Sequence, residues 1–78
     1  MPDKKPTMEG PAIYRICVKG ALASEWSSRL AGMQITPTDS GSTILVGRLT
    51  DQAALSGVLT ALYELHLPVS SVECLEAG

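Results

Sequence analysis

Apolar and polar positions alternate along Ala12 to Lys19, AIYRICVK. Tyr14, Ile16 and Val18 fall on one side, and Ile13, Arg15, Cys17 and Lys19 on the other. That is the period of a strand with one covered face. Gly20 ends it. From Leu22 to Ala31 the period changes. Leu22, Trp26 and Leu30 recur at four-residue spacing, which predicts a short helix with one stripe toward a core and Gly32 as its left-handed stop. Met33 to Thr38 alternates again, and Pro37, which cannot donate to a ladder, puts this strand at a sheet edge. Asp39 to Ser42 is a turn, and Thr43 to Leu49 returns as the second arm of a hairpin. Ile44, Val46 and Arg48 share one face of that arm, and Thr43, Leu45, Gly47 and Leu49 the other. Both faces are largely apolar, as suits a central strand. Thr50 or Asp51 then caps a helix from Gln52 to Leu65, whose stripe is Leu55, Val58, Leu59, Leu62 and Leu65. Ala53, Ala54, Gly57 and Ala61 thin it. Gly57 costs about 1 kcal/mol against alanine, so close packing on another backbone is expected there. His66 stands where a left-handed cap residue is wanted, and histidine is among the residues enriched in that conformation. Pro68 bars further helix. Val69 to Glu76 is the last strand, with its two faces unassigned by the pattern.

The order strand, helix, strand, strand, helix, strand is the ferredoxin-like β-α-β-β-α-β arrangement of an α+β domain. Right-handed crossovers predict the sheet order 4-1-3-2, with both helices on one face. The domain runs from residue 12 to residue 76. Residues 1–11, with three prolines, a glycine and four charges, read as a flexible tail.

Two helices cover only one face of such a sheet. The other face carries Ile13, Arg15, Cys17 and Lys19 from the first strand, Ile44, Val46 and Arg48 from the third, and Gln34 and Thr36 from the second. A partly apolar open face marks a contact surface. Ile13, Cys17, Ile44 and Val46 are its candidate interface residues.

Composition narrows the function. The chain has 78 residues, of which 45% are hydrophobic and 18% charged, which argues against disorder. So short a chain buries little surface, and a partner copy would add to its stability. A net charge of −2 argues against a nucleic-acid binder. The three aromatic residues, Tyr14, Trp26 and Tyr63, are assigned to the helix side or to helices, so the open face offers no base-stacking platform. No apolar run is long enough for a membrane span, and no signal-peptide core follows Lys4 and Lys5. Cys17 and Cys74 are expected to be free thiols in a cytoplasmic protein. With His66 they show no zinc-ligand spacing, and no cofactor is expected. No nucleophile elbow, phosphate loop or dinucleotide fingerprint is present.

Two resemblances add to this. The stretch from Tyr14 to Glu76 resembles a family of short uncharacterised bacterial proteins through Gly20, Trp26, Leu45-Val46-Gly47, Asp51-Gln52-Ala53-Ala54-Leu55 and Ser71-Val72-Glu73. His66 departs from the glycine usual there, and Cys17 and Cys74 stand where arginines are common. No activity follows from that resemblance. The element order and Gly20-Ala21-Leu22 are also similar to ACT domains. That likeness implies an amino-acid pocket at Gly20, Ala21 and Leu22 between paired subunits, although Val18 and Lys19 replace the usual Asp and Pro. The expected function is therefore a non-enzymatic protein-interaction module that forms a homodimer through its open sheet face. An ACT-like small-molecule sensor is the alternative, and a small dimeric ferredoxin-like enzyme is a third.

Overall fold

The computed structural model of the chain describes residues 11–77. The expectation for the tail falls, apart from Pro11, outside these residues. The elements in chain order are β1 (Ala12–Lys19), a 3-10 turn η1 (Ser24–Leu30), β2 (Gln34–Pro37), β3 (Ser42–Leu49), α1 (Gln52–Glu64) and β4 (Val69–Ala77). The four strands form one sheet in the order β2-β3-β1-β4, which from the other edge reads 4-1-3-2. All three pairings are antiparallel.

The register fixes the faces. Ile16 lies opposite Leu45, Val18 opposite Thr43, and Ala12 opposite Leu49. These side chains are buried, and with Leu22, Leu30, Met33, Val58 and Leu62 they make the core. Both helical segments supply that cluster, so both lie over the same face of the sheet. Thr43 is the one buried polar side chain among the described residues. Its hydroxyl donates to the Gly20 carbonyl at 2.7 Å, which removes the cost of leaving it unbonded.

The first helix differs from the α-helix that the four-residue spacing predicts. It is a seven-residue 3-10 segment, SEWSSRL, with no side-chain cap at Ala23. Serines compete for backbone hydrogen bonds and favour short turns over long helix. The left-handed stop begins at Ala31 (φ 59°), one residue before Gly32 (φ 72°). Ser27 ties the exit down, its hydroxyl donating to the Met33 carbonyl at 2.7 Å. With three residues per turn, Trp26 lies about 120° from Leu30 around the axis, against about 40° in an α-helix. Leu30 is therefore fully buried, and Trp26 is half-buried at the margin of the core. The Arg29 guanidinium lies 5.5 Å from the Trp26 ring centroid.

The second helix follows its pattern more closely. Asp51 is the cap, accepting a hydrogen bond from the Ala54 amide at 2.9 Å. Val58 and Leu62 are buried, while Leu55, Leu59 and Leu65 pack at the margin. Gly57 corrects the expectation of close backbone packing. A Cβ built there meets nothing within 4 Å, and the residue faces solvent. The close approach occurs instead at Gly47, where a Cβ would stand 3.0 Å from the Met33 Cα. His66 adopts φ 61°, the left-handed conformation its position predicts.

Candidate interaction surface

The sheet face turned away from the helices is assembled by cross-strand rows. Gln34, Val46, Arg15 and Glu73 form one row across all four strands. Thr36, Ile44, Cys17 and Ser71 form the next. Arg48, Ile13 and Glu76 form a third. Side chains directly opposite one another share a face, so the register brings Ile13, Cys17, Ile44 and Val46 together as the sequence predicts. Each of the four is half-buried, on the side of the sheet away from the helical core cluster. β-Branched residues and a thiol thus meet solvent at the centre of the sheet.

Charge is arranged around this centre. The Arg15 Nη2 donates to Glu73 Oε1 at 2.8 Å, a pair that spans β1 and β4. Both side chains are about half exposed (49% and 53%), so the pair contributes below about 1 kcal/mol. Its effect is positional. It draws the guanidinium toward β4 and away from Val46 on the opposite neighbour. Arg48 and Glu76 flank Ile13 from the two adjacent strands, and with Pro11 and Ala12 they line a shallow depression of about 270 Å³. The surface therefore has an apolar middle, cations at Arg15, Lys19 and Arg48, and carboxylates at Glu73 and Glu76. Among the described residues no aromatic side chain lies on it: Tyr14 packs on the helix side, and Trp26 and Tyr63 belong to the helical layer.

Gly20, Ala21 and Leu22 are placed differently. Gly20 has φ 110°, and a Cβ there would meet Leu67 Cδ2 at 2.9 Å. Its amide donates to the Gly41 carbonyl at 2.9 Å, and its carbonyl accepts from Thr43. Leu22 is buried in the core, and Ala21 is exposed. The Gly20 backbone groups that would hold a ligand are engaged within the fold.

Two features escaped the sequence pattern. The first is the pairing of Tyr14 with Cys74 across β1 and β4. Burial raises the Tyr14 phenol above its ordinary value of 10.0, with further contributions from charge on Cys74 and from a hydrogen bond to it. The second is β4 itself. Its ladder with β1 is interrupted between Ile13 and Tyr14 and between Cys17 and Val18. Leu75 and Ser70 are the extra residues. The signal was present in the three-residue spacing of Val69, Val72 and Leu75, which no unbroken strand places on one face.

Among the described residues no three His, Cys, Asp or Glu side chains gather. His66 is exposed beside Tyr63, Glu64, Leu67 and Pro68, around a surface hollow of about 430 Å³. No helix among the described residues is long and apolar enough to cross a membrane.

Fold and surface together define a small α+β domain whose antiparallel sheet is open on one face. The chain belongs to the family described as Domain of unknown function (DUF8691), whose profile matches residues 13–73. Comparison with curated proteins and with solved structures returns no match.

Proposed function

We propose that the protein is a non-enzymatic interaction module that self-associates through its open sheet face. On this reading it is a variant of the ferredoxin-like arrangement, with the first helix reduced to a 3-10 turn. The observation that carries the proposal is the grouping of Ile13, Cys17, Ile44 and Val46 on one uncovered face. Exposed apolar patches rimmed by polar groups are characteristic of contact surfaces. Burying about 600 Å² of apolar area would contribute about 15 kcal/mol before association costs, which consume most of it and leave micromolar affinity. Free Cys17 and Cys74 suit a reducing, cytoplasmic compartment.

Sedimentation equilibrium of the wild type and of Val46→Lys is the test. The side chain at 46 points away from the helix-side core, so the variant is expected to fold and to weaken the dimer at least about tenfold. A wild type that stays monomeric at hundreds of micromolar, or a variant that dimerises equally well, would contradict the proposal. The ACT-like reading makes a different prediction. An amino acid held near Gly20, Ala21 and Leu22 would raise the melting temperature by mass action.

A further inference from the structure

We propose that the outer edge of β4 is a second self-association site, where β4 pairs antiparallel with β4 of another copy about a two-fold axis at Val72. This site is separate from the open face and stands whether or not that face associates. β4 has nine residues, and every one from Val69 to Glu76 is exposed. Val69, Val72 and Leu75 are 39%, 43% and 47% exposed, although all are large apolar side chains. The strand VSSVECLEA contains neither proline nor lysine; of its two carboxylates Glu73 is tied to Arg15, and its two irregularities lie outside Ser71 to Cys74, so that stretch of the edge is left unblunted. The opposite edge is guarded: β2 has four residues and ends on Pro37. Among the described residues no strand pairs with the outer side of β4.

The occupant is fixed by self-complementarity. A two-fold contact sets each residue against its symmetry partner. With Val72 on the axis, Val72 meets Val72, Val69 meets Leu75, Glu73 meets Ser71, and Cys74 meets Ser70. Val69, Val72 and Leu75 then face apolar partners, and no two carboxylates face each other. Moving the axis to Glu73 sets like charges opposite, which is destabilising. Moving it to Ser71 sets Val69 against Glu73. Val69 and Val72 lie opposite Val18 and Ile16, on the helix side, so the pairing would extend the core side of the sheet across the axis. Ser71 to Cys74 form an uninterrupted ladder with β1 between the two irregularities, and this stretch is the centre of the contact.

The test is a cysteine at the axis. Val72→Cys is made with Cys17→Ser and Cys74→Ser and oxidised with copper phenanthroline. Opposed residues on antiparallel strands lie about 4.5–5.5 Å apart at Cα, within disulfide reach. A covalent dimer is expected on a non-reducing gel, at a yield several-fold above that of Thr60→Cys in the same background, an exposed position on α1. The same yield is expected when Val46→Lys is added, which separates this edge from the open face. In the unmodified background, Val72→Lys is expected to weaken edge pairing about tenfold or more. A Val72→Cys yield no higher than that of Thr60→Cys overturns the proposal and leaves the edge to a strand of another protein.

Discussion

Gly47 and Gly57 both sit inside regular elements, and their surroundings give opposite expectations. A methyl group at 47 meets Met33 backbone and side chain at 3.0 Å, so Gly47→Ala is expected to destabilise by about 1–3 kcal/mol. A methyl group at 57 meets nothing, so Gly57→Ala is expected to stabilise by about 0.5–1 kcal/mol. Urea unfolding of the two variants checks both signs. Sequence alone marked Gly57 and passed over Gly47, because helix propensity is a local property and the approach of Met33 is not. Trp26 teaches the same lesson. Its spacing from Leu22 and Leu30 predicts a central core residue, but the 3-10 geometry rotates it to the margin. Trp26→Ala is therefore expected to remain folded and to lose less stability than Leu30→Ala, for which about 2–5 kcal/mol is expected. Tyr14 supplies a pH dependence. Its folded-state pKa lies above 10.0, so its contribution is fully present below about pH 10 and is lost as pH rises through the folded value. Stability of the wild type is expected to fall across that alkaline range, and Tyr14→Phe to flatten the fall. Unfolding free energies that decline equally in both proteins would contradict this assignment.

Elements whose period is clean were legible in advance. β1, β3 and α1 lie within a residue or two of their predicted bounds, since alternation and the Asp51 cap act within a few residues. Their faces follow too, so alternation alone groups Ile13, Cys17, Ile44 and Val46. The bounds of β4, expected at Val69 to Glu76, also lie within a residue of those observed, but two extra residues break its period, and only the ladder with β1 assigns its sides. That ladder also separates the thiols. Cys17 lies opposite Ser71 and Cys74 opposite Tyr14, three positions along, or about 10 Å at 3.3 Å per residue. A disulfide needs Cα atoms within about 7 Å. Thiol titration of the unreduced, denatured protein is expected to give two free thiols per chain; a value near zero with no crosslinked dimer would contradict the register.

The described residues form a one-sided sandwich: helices cover one side of the sheet and leave strand residues on the other to meet solvent. A domain of this size buries a smaller share of its surface than a larger one does, so the proposed association at the open face would have a thermodynamic as well as a geometric motive. The proposed open-face contact and the proposed β4-edge contact would use the same sheet in nearly perpendicular directions, one through side chains and one through backbone. They are distinguished by which amides respond when copies meet. The most direct measurement is a dilution series of amide NMR spectra from hundreds of micromolar to a few micromolar. Concentration-dependent shifts are expected at Ile13, Arg15, Cys17, Ile44 and Val46, with Ala53, Gly57 and Thr60 on the exposed side of α1 unmoved. Spectra that superimpose throughout, or shifts confined to α1, would contradict the proposed open-face contact.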